Sequence, residues 1–177
     1  VDLPGGQTIS ETTNRAPVIA LAWSGDGSRL AAALSNGRVP VFNRRGAGMF
    51  DLPGFSVAAR AIAFNGDGSL LAAQGIDRTL RLVDADAIQH AFRTPCDSGA
   101  ITFDPTGQRV GPVFRGDDFG WFELRKPEEY YQATIASTRT QFDELKFSPD
   151  GRVIPAGNAT NTVLCDTTDG HRLRSLP

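Results

Sequence analysis

Short runs of β-branched, aromatic and small apolar residues recur along the chain, each about one strand long, and each is stopped by a polar cluster of Gly, Pro, Asp, Asn or Ser. "VIALAW" (18–23), "RAIAF" (60–64), "AITF" (100–103) and "ELKF" (144–147) end in an aromatic residue. A tight turn follows each of them: "WSGDG" (23–27), "FNGDG" (64–68), "FDPTG" (103–107) and "FSPDG" (147–151). The residue types explain the turn. Proline fixes φ, aspartate hydrogen-bonds its own backbone, and glycine accepts positive φ. Asp26, Gly27, Asp67, Gly68, Gly107, Asp150 and Gly151 are therefore structural turn residues. Second strands follow as "SRLAAAL", "SLLAAQG", "QRVGPVF" and "RVIPAG", and third strands as "RVPVFN", "TLRLVD", "GWFEL" and "TVLCD".

The unit repeats. The glycines Gly27, Gly68, Gly107 and Gly151 stand 41, 39 and 44 residues apart, and in every copy the aromatic lies four residues before the glycine. The hairpin is held constant while the outer loops vary. The resulting division is an outer strand belonging to a preceding copy at 1–14, then copies at 15–56, 57–95, 96–138 and 139–177. Pro40, Pro112 and Pro155 fall inside expected strands, where each removes a ladder donor; a bulge or a shortened strand is the plain expectation, an irregularity beside a binding face the sharper one.

"DRTLRLVD" (77–84) and "NTVLCDTTDGHRLRSLP" (161–177) resemble the ends of WD40 repeats, in which an acidic residue follows a bulky apolar one and a fourth, outer strand comes after a glycine-containing turn. The resemblance extends over essentially the whole chain. The Trp-Asp positions are Phe42-Asn43, Val83-Asp84, Phe122-Glu123 and Cys165-Asp166, and the family's tight-turn aspartate is matched by Asp77, with Asn36 a weaker counterpart. No copy keeps the tryptophan at these positions or a Gly-His dipeptide at the family's place in the repeat, so the copies are degenerate. The implied fold is all-β, a β-propeller of four-stranded antiparallel blades, about four in this chain, at the roughly 40–45 residue period of such blades. "FSPDG" turns also resemble TolB-type propellers, the second choice of family; the terminal acidic residues and the outer strand in "TTDGHRLRSL" favour WD40.

The ends shape the expectation further. Four blades plus a surplus strand describe a section of a larger ring, or a protomer whose ring is completed by blades of another chain, a homodimer being one such solution.

Composition narrows the function. Eighteen basic against twenty acidic residues give a formal charge of -2, which lacks the electrostatic footprint of a duplex-binding protein and disfavours nucleic acid as a partner. No run approaches the roughly 20 apolar residues of a membrane helix, so no membrane is expected. Cys96 and Cys165, 69 residues apart, fit neither a metal pair nor a disulfide framework and are read as free thiols in a reducing, cytoplasmic setting. His90 and His171 lack metal-pair spacing, and the chain has no nucleophile elbow, P-loop or dinucleotide-binding glycine motif. No catalytic residue, metal or cofactor is expected, and the chain is not read as an enzyme.

Recognition remains. Loops from outer to next inner strand, and from second to third strand, gather on one face of a propeller. They would bring there Arg60, Asp143 and Glu144 beside Arg115, Asp117 and Asn158. The third copy carries extra length in "RKPEEYYQATI", where Tyr130 and Tyr131 offer apolar area with hydrogen-bonding tips. The plain alternative for every one of these residues is a solvated loop or, for the tyrosines, one ring packed on the outer strand and one at the surface. The resemblance implies a non-catalytic scaffold or sensor module binding protein or peptide; the alternative is a propeller cap or accessory domain of an enzyme whose catalytic domain lies outside this chain.

Overall fold

The computed structural model describes residues 16–52, 57–96, 100–115, 118–126, 129–135, 146–158, 161–169 and 171–176. Its first sheet is an antiparallel meander of β1 (Val18–Trp23), β2 (Arg29–Leu34), β3 (Pro40–Asn43) and β4 (Gly48–Asp51). The second comprises β5 (Ala59–Phe64), β6 (Leu70–Gly75), β7 (Thr79–Asp84) and β8 (Gln89–Pro95). The third comprises β9 (Thr102–Phe103), β10 (Arg109–Arg115), β11 (Asp118–Lys126) and β12 (Glu129–Ile135). In the fourth, β13 (Val153–Asn158), β14 (Asn161–Asp166) and β15 (Arg172–Leu176) are described, and the strand expected at "ELKF" begins outside the described residues. The fold is all-β, and among the described residues no helix is long and apolar enough to cross a membrane.

The four turns are built alike to the atom. In each, the residue after the aromatic donates its backbone N–H to the carbonyl of the residue five places on: Ser24 to Arg29, Asn65 to Leu70, Asp104 to Arg109 and Ser148 to Val153. In each, its side-chain oxygen also accepts from that second residue's N–H, at 2.9 Å. The glycine N–H closes the turn onto the same residue's carbonyl, and its φ lies between 68° and 75° in all four copies. Only a residue without a Cβ adopts that conformation freely, so glycine is fixed while Ser, Asn and Asp interchange as acceptors.

Sheets stack face to face, bulky side on small side. Strand alternation sends Ile62 and Phe64 of β5 toward the first sheet, where with Leu71 and Val83 they meet Ala31, Ala33 and Val41. Ala61 and Ala63 point the other way and join Ala72, Leu82, Phe103, Val110 and Phe122 between the second and third sheets. Trp121 of β11 and Phe147 of the fourth turn make an edge-to-face contact at 6.4 Å. Each sheet thus presents its aromatic-bearing face to the sheet before it and a smaller face to the sheet after it. Alanine, a poor strand former, is used in the middle strands because both faces are covered and close approach needs short side chains.

The prolines behave as their chemistry requires. Pro40 opens β3, which is only four residues long; Pro112 sits in the register shift between Val110 and Val113; Pro155 pairs in regular register with Leu164 on β13, the edge of its sheet among the described residues.

Candidate interaction surfaces

The meander gives every sheet the same polarity. The end that carries the Gly27-type turns is the turn end; the opposite end holds the starts of β1 and β5 and the second-to-third loops. Arg60 is exposed at the second position of β5, Arg115 closes β10 and Asn158 closes β13, so all three lie at that opposite end of their sheets. Asp117, Asp143 and Glu144 lie outside the described residues. Tyr130 and Tyr131 do not join this group. They stand in β12, the outermost strand of the third sheet, paired with Leu124 and Glu123 near the turn end. Much of the third copy's length is strand: β11 has nine residues and β12 seven.

Asp77 anchors the loop between β6 and β7. Its carboxylate accepts from Thr79 Oγ1 at 2.7 Å and from the buried Arg81 guanidinium at 2.6 Å, with Arg93 at 3.6 Å. Burial raises its pKa, but the bonds from Thr79 and Arg81 outweigh that and hold it below the usual carboxylate range. In the first copy Asn36 Oδ1 accepts from the Arg38 N–H at 3.1 Å. The aspartate is therefore tied into the sheet.

The turn end is where neighbouring sheets lock. Arg29 Nη1 donates to the Gly68 carbonyl at 2.9 Å and Nη2 to Asp86 at 2.6 Å; Arg109 Nη1 donates to Thr167 Oγ1 at 2.8 Å and reaches the Gly151 carbonyl at 3.4 Å. Both arginines occupy the same repeat position and each grips the next sheet's turn. The turn aspartates are acidified by the turn itself. Ser24 Oγ, Ser28 N and Ser28 Oγ hold Asp26 at a pKa of about 2, and Ser69 and Ser148 lower Asp67 and Asp150 in the same way. Cys96 and Cys165 are buried free thiols, and burial pushes that of Cys165 up, away from the reactive thiolate.

The structure also exposes a surface that reading the residues one copy at a time missed. Ile19, Leu21 and Trp23 line one face of β1, with Leu21 61% and Trp23 53% exposed, whereas Phe64, the counterpart of Trp23, is 8% exposed. The available signal was positional: Trp23 and Phe64 hold the same place in their copies, and only stacking distinguishes them.

No protein-family model matches the chain, and no curated protein matches it significantly. Solved structures do. The β-propeller domain of Myceliophteria thermophila Cps50 (Swd1) superposes with a TM-score of 0.80 at 13% identity, over 94% of this chain and 57% of that one. A chain of Kuenenia stuttgartiensis hydrazine synthase superposes with a TM-score of 0.74 at 16% identity, over 97% of this chain and 52% of that one. The chain thus spans a little over half the length of each of these neighbours, and the likeness at such low identity establishes one thing, that its stacked sheets are blades of a β-propeller.

Proposed function

We propose that this chain is a non-catalytic interaction module of WD40 type, a scaffold or sensor that presents a rigid surface to a protein or peptide partner. The observation that carries the reading is the common polarity of the sheets, which puts Arg60, Arg115 and Asn158, contributed by three different blades, at one end. Arg60 stands on a strand of a stacked sheet, so a partner meeting it there has little backbone left to order. Arginine suits such a surface because its planar fork binds carboxylates and carbonyls in pairs. The apolar-acidic pairs Val83-Asp84 and Cys165-Asp166, the anchored Asp77 and the likeness to the Swd1 propeller support the WD40 type. Two buried free thiols suit a reducing, cytoplasmic setting.

The test is a comparative pull-down. The wild-type chain and an Arg60→Glu/Arg115→Glu variant are immobilised, and retained proteins are identified by mass spectrometry. The expected result is a defined partner held by the wild type and lost by the variant; an identical set on both would refute this end as the binding surface. A second reading, a propeller attached to an enzyme, is favoured by the hydrazine synthase likeness. It predicts that the retained protein, or a further part of the same polypeptide, carries a catalytic domain.

A further inference from the structure

We propose that the corner of the second blade formed by the β6–β7 loop, with Ile76 and Arg78 at its centre, is the specificity anchor of the interaction surface. It takes an extended segment of a partner protein in which acidic residues flank a bulky apolar one. The inference rests on the reading above that this end of the sheets binds a protein or peptide, and it names the chemistry of what is bound.

The first blade supplies the comparison, because the same backbone bonds close the loop in both. Ser35 N–H donates to the Pro17 carbonyl and Ile76 N–H to the Ala58 carbonyl, each at 2.9 Å; Gly37 N–H donates to Leu34 at 3.0 Å and Arg78 N–H to Gly75 at 3.1 Å. Ser35 and Ile76 are therefore equivalent, and so are Gly37 and Arg78. At the first place a small polar residue gives way to an isoleucine that is 52% exposed. At the second, Gly37 adopts its φ of 87° freely, whereas Arg78 is held at 57° against the clash of its own Cβ with the backbone. Serine and glycine build this loop in the first blade, so folding calls for neither the isoleucine nor the arginine. Backbone strain of this kind is stored where a site uses it. The two residues stand at the end of a blade whose faces are both covered, through Ile62 and Phe64 on one side and Ala72 and Leu82 on the other.

Charge then selects the occupant. Arg60 on β5, Arg78 in the loop and Arg93 on β8 are all exposed, and Arg93 Nη2 comes within 3.6 Å of Asp77 Oδ2. The acid of the corner, Asp77, is already balanced by the buried Arg81, whose Nη2 lies 2.6 Å from the same oxygen. The corner therefore favours carboxylates, which the arginine fork binds in pairs. Ile76, in the loop between the two outer arginines, adds apolar contact that a nucleic-acid backbone would leave unused. In the sheet order β5 and β8 are three strand spacings apart, roughly 14 Å, which about four residues of extended chain would span.

Short random peptides displayed on phage are selected against the full chain, and the enriched peptide, fluorescently labelled, is titrated by anisotropy against the wild type and Ile76→Ser/Arg78→Gly. That variant carries the first blade's residues at both places, so its Tm should hold or rise while its affinity for the peptide falls about tenfold or more. Arg93→Gln, on a side chain 61% exposed, should weaken the same peptide without moving Tm, and added salt should weaken binding to the wild type. A fall in Tm together with affinity would make Ile76 and Arg78 structural and overturn the proposal. Unchanged affinity, enriched peptides without acidic residues, no enriched peptide, or displacement of the peptide by a dT oligonucleotide would overturn it as well. The pull-down described above separates the two readings. A partner lost by the Arg60/Arg115 variant but kept by Ile76→Ser/Arg78→Gly refutes this inference alone, and a partner kept by both refutes the interaction surface with it.

Discussion

Leu30 and Leu71 are the same residue at the same repeat position, on the faces of the first and second blades that look toward a preceding blade. Leu71 is fully buried in the core between the first two sheets, while Leu30 is half-buried on the open face. Leu71→Ala removes buried methyl groups and leaves a cavity between two sheets that cannot collapse, for about 2–5 kcal/mol. At about 2–4 °C per kcal/mol for a chain of this size, that lowers Tm by roughly 4–20 °C. Leu30→Ala removes the same atoms from a surface where solvent replaces them. It forfeits only part of the roughly 1.5–3 kcal/mol transfer value of a buried leucine, about 1 kcal/mol. The assay is thermal and urea unfolding followed by circular dichroism. Equal losses for the two variants would mean that the first blade is covered within the chain, and the stacking argument would fail. A loss under about 1 kcal/mol for Leu71→Ala would show that the sheets do not pack as described.

Gly25→Ala should destabilise by about 1–3 kcal/mol, because the new Cβ falls inside contact distance of the Gly66 backbone, while Gly48→Ala, with open space around it, should be within about 0.5 kcal/mol of wild type; urea midpoints compare them. The turn carboxylates are stronger acids folded than unfolded, so the stability they give is present above the ordinary carboxylate value of 3.8 and is lost as pH falls toward about 2, the folded value of Asp26. Melting temperature should therefore be insensitive to Asp26→Asn at low pH but lower for that variant at pH 6, and NMR titration of Ser24→Ala should show the Asp26 pKa moving up. A double-mutant cycle on Arg29 and Asp86 should give a coupling of about 0.2–1 kcal/mol, since Asp86 is largely exposed, with Arg29→Ala alone costing more through the lost bond to the Gly68 carbonyl. A coupling of several kcal/mol would mean the pair is shielded from solvent.

The turns were legible because their chemistry is local. Four aromatics, four glycines and an acceptor beside each aromatic dictate a hairpin whatever surrounds it, and the outer strand after Asp166 follows from the same logic. The tyrosine pair was less so, since a charged stretch with proline reads as a loop until pairing with β11 extends it as a hairpin. Arg29, Arg109 and Arg81 carry no sequence signal of their roles: a lone arginine beside a turn is ordinary, and only its neighbour across the sheet interface makes it a lock.

The sequence by itself determined the repeat, the strands, the turn geometry and the all-β class, because these depend on contacts between residues a few places apart. The tertiary structure alone decided which face of each sheet is covered, which arginine meets which turn, and that Leu21 and Trp23 are left open. Those outcomes depend on stacking across roughly forty residues of chain, where hydrophobic burial is non-directional and only the built interface says what meets what.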